Sequence, residues 1–153
     1  MGNLFPQLKL VITGDNPHLK LKLQEKAKSL GLINKIVFTG YVNESILWTL
    51  IRNSSCVCYP SLMEGFGLPV LEGFVGGVPV ISSNRSSIPE ISAKAAILVN
   101  PTSTHEISNA IIKVLTDKTL AKRFVIKGLM HVKKYGWDKT IEETLTIYKN
   151  ILK

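Results

Sequence analysis

A chain of 153 residues, 45% hydrophobic and 20% charged, has the length and composition of one ordinary domain that builds its core without disulfide or metal staples. It holds no apolar run near the roughly 20 residues a membrane-spanning helix needs, no secretory signal pattern at its start, and Pro6 where a myristoylation pattern beginning at Met1-Gly2 demands Ser or Thr. Its formal net charge of +8 favours anionic partners without choosing among a nucleotide, a nucleic acid and an acidic lipid surface.

From the start of the chain, short β-rich apolar runs alternate with longer segments of helical period, the pattern of a parallel sheet with helices on both faces. A first strand is predicted over residues 8–13. The helix in "NPHLKLKLQEKAKSLG" follows, opened by Asn16-Pro17 and stopped at Gly31. A second strand over 35–39 leads to a shorter helix in "NESILWTLIRNS". In the third strand, 56–59, Cys56 and Cys58 are two positions apart, so they share a face and do not bridge each other. They read as small buried hydrophobes, a usage that fits a reducing cytoplasm.

A fourth strand over 78–82 and a fifth over 96–99 complete a set of about five, each close to continuously apolar as a sheet covered on both sides requires. Ser103 and Glu106 then stand at capping-box spacing before a stripe of Ile107, Ala110, Ile111, Val114 and Leu115. Two further helices are expected over about 118–134 and 138–152, with Tyr135-Gly136-Trp137 as the break. Many cations fall in this last third, at Lys113, Lys118, Lys122, Arg123, Lys127, Lys133, Lys134 and Lys139. They read as a solvated helical face or as a weak attraction to an anionic membrane; without interleaved exposed aromatics they do not suggest a nucleic-acid partner. No repeat, low-complexity tract or linker interrupts residues 1–153, so a single α/β domain with an open parallel sheet is expected.

In an open α/β sheet, ligands bind beyond the carboxyl ends of the strands. The loops there are Gly14-Asp15-Asn16, Gly40-Tyr41-Val42-Asn43, 60–68 and 83–89. The third carries the densest punctuation: "PSLMEGFGLPVLEGFVGGVPVISS", residues 60–83, holds five glycines, three prolines and two glutamates. With Pro69 as first helical residue, where a missing N–H costs nothing, a helix runs to Phe74 or Val75. Gly65 and Gly67 are free to take backbone angles closed to other residues and to let a ligand approach the main chain. Backbone N–H groups and the positive end of the helix then suit a phosphate. Glu64 falls in the loop and Glu72 in the first helical turn, so both carboxylates can border one cleft and accept from paired sugar hydroxyls. The same spacing equally fits a Glu72 that complements the helix dipole and a solvated Glu64.

This segment resembles the donor-site signature of the retaining glycosyltransferases with two Rossmann-like domains, the GT-B enzymes of glycosyl transferases group 1. Two glutamates bracket seven residues, Gly-Phe-Gly-Leu-Pro lies between them and Gly-Val-Pro-Val follows. The likeness extends over "LKLVITGDN", "IVFTGYV", "SSIPEI", "AAILVNP" and the terminal "YGWDKTIEETLTIYKNIL". It implies the C-terminal, donor-binding half of such an enzyme and transfer of a hexose, of mannose or glucose type, from a nucleoside-diphosphate sugar with retention at the anomeric carbon. Glu64 would be the catalytic-site carboxylate holding donor-sugar hydroxyls. Backbone amides around Gly65, Phe66, Gly67 and Leu68 would face sugar and phosphate, and Glu72 would grip the ribose diol. Gly14, Gly40, Tyr41 and Val42 would border the base. The family needs no bound metal or cofactor, and no metal-ligand spacing is found among His18, His105, His131 and the acids. The carboxylate-pair chemistry of glycoside hydrolases is not implied.

Three departures from the family pattern shape the expectations. The acceptor-binding domain and the opening strand and helix of the donor domain, which carry an Arg and a Lys for the diphosphate, have no counterpart in these residues. Arg85, in the serine-rich loop after the fourth strand, is read as an ordinary loop residue ahead of the alternative that it approaches the phosphates. Ala95 stands where the family often has Gly, adjusting a turn. The terminal helix is expected to expose Ile141, Leu145, Ile147 and Tyr148, which points to an acceptor-domain partner or self-association. The family suggests polysaccharide or lipopolysaccharide synthesis at the cytoplasmic face of a membrane. The alternative is a non-catalytic module, or truncated remnant, that binds nucleotide or nucleotide sugar.

Overall fold

The computed structural model describes residues 5–152, so the Met1-Gly2 pattern lies outside the described residues. The described residues form two compact units, one reaching Asn53 and one beginning at Ser54.

In the first unit, β1 (Leu10–Thr13) and β2 (Ile36–Gly40) pair in parallel, from Leu10 opposite Ile36 to Thr13 opposite Gly40, with an irregularity between Ile12 and Thr13. Helix α1 (Pro17–Ser29) starts where predicted, because the Asn16 side chain accepts the Leu19 N–H at 3.0 Å and Pro17 fills the first turn. It stops where the left-handed Gly31 turns the chain and the Leu32 N–H reaches the Ala27 carbonyl at 2.8 Å. A short 3-10 turn, Ile33–Lys35, leads into β2. Helix α2 (Glu44–Arg52) is capped by Asn43, whose side chain accepts the Ile46 N–H at 2.9 Å. Leu10 is 53% and Val11 42% exposed, so β1 departs from the expected two-sided burial. Helix α1, which alternates lysine with leucine, likewise buries only Ala27.

In the second unit, β3 (Val57–Tyr59), β4 (Val80–Ser83) and β5 (Ile97–Val99) form a parallel sheet in that order, and the central β4 is buried at all four positions. The five expected strands are all found, two paired in parallel in the first unit and three in the second. Helix α3 (Leu68–Val75) packs on α6 (Lys118–Val132). Gly128 of α6 makes the approach possible, since a β-carbon there would stand 2.6 Å from Phe74 Cδ1. One core cluster gathers Val70, Leu71, Phe74, Val80, Ile88 and Ile91; a second gathers Ile81, Val99, Ala110 and Val114, flanked by Cys56 and Cys58. Both cysteines are free and partly buried, and Cys56 falls just before β3 instead of on it. Burial, with the neighbouring Cys56, pushes the Cys58 thiol up to about 11.

Residues 83–89, expected as loop, lead into a short helix α4 (Ile88–Ser92). Five residues are too few to show a helical period in sequence. After it the left-handed backbone falls on Ala93 and Lys94, while Ala95 is buried in the core. Helix α5 (Thr104–Thr116) realises half of the expected capping box: Ser103 Oγ accepts the Glu106 N–H at 3.2 Å, but Glu106 Oε2 accepts the Asn100 N–H at 2.9 Å instead of reaching back to Ser103. Asp117 caps α6 through the Leu120 N–H at 2.8 Å. Helix α7 (Trp137–Ile151) starts one residue earlier than expected and buries none of its residues, leaving Ile141, Leu145, Ile147 and Tyr148 exposed. No helix among the described residues is long and apolar enough to cross a membrane.

Candidate functional site

The site is built where β3 runs out. Tyr59 is its last residue, the chain loops through 60–67, and α3 begins at Leu68. Gly67 supplies the N-cap with φ +109° and ψ 41°, and a β-carbon there would lie 2.8 Å from the buried Ile88 Cδ1. The position is therefore closed to other residues by conformation and by space. Gly65 differs from expectation: it is not among the residues of positive φ, and its α-carbon faces open space. Its lack of a side chain leaves the main chain exposed without shaping the turn.

Pro69 is the second helical residue and not the first, because Leu68 already takes that place. Glu72 consequently sits beyond the first turn, which holds no acidic residue, so the dipole explanation for it weakens. No side chain caps the amino end of α3.

The loop is tied to the segment before α4 by two serine hydroxyls. Ser86 Oγ accepts the Glu64 N–H at 3.2 Å and donates to the Glu64 carbonyl at 2.7 Å. Ser87 Oγ lies 3.0 Å from the carbonyls of Glu64 and Phe66. Ser86 holds this geometry with φ +58°, uncommon for a residue with a β-carbon. Phe66, half-exposed, meets Tyr135 edge-on with ring centroids 6.1 Å apart, and Leu68 is also exposed.

Glu64 is half-buried, and the Tyr59 hydroxyl donates to its Oε1 at 2.7 Å. The Tyr59 phenol is held above its ordinary value, first by that hydrogen bond, then by burial and by the charges of Glu64 and Glu72. Of the two sequence-predicted carboxylates, Glu64 is the one bonded to this hydroxyl, while Glu72 lies in α3 and adds the last of these effects. Tyr59, Ser86 and Ser87 were not anticipated as site residues. The serine-rich "SSNRSS" and the position of Tyr59 as last strand residue were the available signals. Arg85 is exposed and engages Ser83 Oγ through its backbone N–H at 3.0 Å.

Gly14, Gly40, Tyr41 and Val42 belong to the first unit. There the Gly14 N–H donates to the Gly40 carbonyl at 3.0 Å, both glycines have positive φ, and the Thr39 hydroxyl donates to the same carbonyl at 2.9 Å. The two loops are therefore joined at the carboxyl ends of β1 and β2, with Tyr41 81% exposed and Val42 half-buried. Among the described residues no three His, Cys, Asp or Glu side chains gather as a metal site.

Residues 2–129 match the family model described as glycosyl transferases group 1. Among curated proteins, the chain is 35% identical over 114 residues to an O-antigen chain mannosyltransferase B of Escherichia coli, covering 74% of this chain and 30% of that protein. Among solved structures, it is similar to the C-terminal domain of a glycosyl transferase group 1 family protein from Francisella tularensis, with a TM-score of 0.76, 27% identity and coverage of 87% and 72%. It also shares the fold of Anabaena HepE, solved in complex with UDP and glucose, with a TM-score of 0.83 at 22% identity over 92% of this chain and 41% of that one. The chain spans about a third of the length of three curated relatives it matches and 15–16% of the length of others. The two glutamates flanking Gly-Phe-Gly-Leu-Pro, the parallel α/β architecture and the match over most of the sequence converge: this chain belongs to the glycosyl transferases group 1 family, with the Rossmann-like fold of a C-terminal GT-B domain.

Proposed function

We propose that this chain supplies the donor site of a retaining glycosyltransferase that moves a hexose of mannose or glucose type from a nucleoside-diphosphate sugar to a glycan or lipid-linked acceptor. An acceptor-binding domain or partner is required to complete the reaction. The observation that carries the reading is the Tyr59 hydroxyl bonded to Glu64 at 2.7 Å, beside an exposed main chain at Gly65 and an α3 amino end without a side-chain cap.

Each part has a task. Glu64, acceptor-only when ionised, takes hydrogen bonds from donor-sugar hydroxyls, and Glu72 takes those of the ribose diol. The backbone at Gly65, Phe66, Gly67 and Leu68 with the amino end of α3 receives the diphosphate, whose charge grows as the sugar leaves. The solved HepE complex with UDP and glucose, on the same fold, supports a nucleotide-sugar donor. The exposed apolar residues of α7 suit the acceptor-binding partner or a second copy, and the cations of α6 suit peripheral contact with an anionic membrane at the cytoplasmic face.

The test is calorimetric titration of the purified chain with UDP, GDP and ADP and with their glucose or mannose conjugates, with and without EDTA. Saturable, EDTA-insensitive binding of one nucleotide, tightened by its sugar, is the expected result. No binding by any of them would sink the reading.

A further inference from the structure

A glutamate on a glycine-flanked loop has three side-chain torsions and, left alone, would spread its carboxylate over many positions. Glu64 is not left alone. Its N–H and its carbonyl are both held by Ser86 Oγ, and its Oε1 accepts from the Tyr59 hydroxyl at 2.7 Å. Tyr59 is itself anchored: it pairs opposite Ser82 in the β3–β4 ladder, and its carbonyl accepts the Ser82 hydroxyl at 2.7 Å. The carboxylate is therefore tied at one oxygen to the sheet, through a short charge-assisted bond, and at its backbone to the segment before α4.

We propose that Tyr59 is the positioning residue of this site, holding Glu64 with Oε1 engaged so that Oε2 is presented to a hydroxyl of the donor sugar. The inference rests on the reading of Glu64 as the residue that holds that sugar. Tyr59 does not itself touch substrate; it acts by removing the rotational freedom that Glu64 would otherwise lose on binding.

The experiment compares the full chain with Tyr59→Phe and Glu64→Gln. Calorimetry measures affinity for a nucleoside diphosphate and for its sugar conjugate, taking UDP with UDP-glucose and GDP with GDP-mannose. Carbon-13 NMR of ζ-labelled tyrosine follows the Tyr59 phenol through alkaline pH, and circular dichroism confirms the fold. Tyr59→Phe keeps the ring and is expected to lose about tenfold in affinity for the conjugate while the bare nucleotide binds unchanged, in keeping with one hydrogen bond to a charged group. In Glu64→Gln the Tyr59 phenol is expected to titrate at lower pH than in the unaltered chain.

If Tyr59→Phe keeps the full preference for the conjugate, or weakens conjugate and bare nucleotide alike, the positioning role is wrong while the reading of Glu64 stands. If the unaltered chain binds conjugate and bare nucleotide equally, or Glu64→Gln loses nothing, the reading of Glu64 fails and takes the proposal with it.

Discussion

The Ser86 hydroxyl serves both ends of one residue: it accepts the Glu64 N–H at 3.2 Å and donates to the Glu64 carbonyl at 2.7 Å. Twenty-two positions separate the two in sequence, so this clamp gives the glutamate loop its fixed partner. Ser86→Ala removes both bonds at an exposed site and is expected to cost about 1 kcal/mol. Its sharper consequence is local: residues 61–67 should exchange amide hydrogen faster, as mass spectrometry would show, while α5 and α6 keep their protection. Ser86→Gly loses the same bonds but relieves the φ of +58°, so its global stability should exceed that of Ser86→Ala.

Glycine spacing sets a second expectation. Gly128→Ala drives a methyl to 2.6 Å from Phe74 Cδ1, and Gly67→Ala drives one to 2.8 Å from Ile88 Cδ1 at φ +109°. Each should lower unfolding stability by about 1–3 kcal/mol in urea titration. Gly65→Ala meets no atom within 4 Å and should change stability by less than about 0.5 kcal/mol.

The thiols provide a pH test. In the folded chain the Cys58 thiol is raised from 9.0 to about 11 by burial and by Cys56. The folded state therefore holds this proton more tightly than the unfolded chain. The associated stability is whole below pH 9 and is lost as pH rises from 9 to 11. Denaturation midpoints should fall across that window, and less so in Cys58→Ala. At pH 8 both thiols should react with a disulfide reagent far more slowly in the folded chain than in urea.

Glu64 and Glu72 are expected to separate by ligand. Glu72→Ala should weaken bare nucleotide and conjugate together, whereas Glu64→Ala should weaken the conjugate and spare the bare nucleotide, each by roughly tenfold or more for hydrogen bonds to a charged group. Calorimetry of the two variants reads this directly, and an unchanged nucleotide affinity in Glu72→Ala would remove the ribose role.

Helix α6 contains no acidic residue, and Lys118, Lys122, Arg123 and Lys127 line one surface pocket with Thr119 and Ile126. Sedimentation with vesicles should show binding that rises with anionic lipid content and falls with salt. The double variant Lys122→Glu, Lys127→Glu should abolish it without affecting nucleotide binding.

Much of this was legible in the residues. Asn16-Pro17, Asn43, Ser103 and Gly31 mark helix ends because a cap is a contact within three or four positions. Both site carboxylates were visible because the family signature is contiguous. Glu72 was placed one position too early in the helix, since the start of α3 depended on Leu68 entering ahead of Pro69. The short α4 and the exposed β1 were missed, the one for want of a full period, the other because strand composition does not say what will cover the strand.

By itself, the sequence determined the alternation of strands and helices, the glycine-rich loop between β3 and α3, and the family, because each is written in neighbouring residues. Only the tertiary structure decided that β4 runs between β3 and β5, that Ser86 and Ser87 clamp the glutamate loop, and that the Tyr59 hydroxyl donates to Glu64. Those relationships join positions distant in the chain or dependent on a turn's exact path. They exist only once burial of Val70, Phe74, Val80 and Ile88 has closed one core around them.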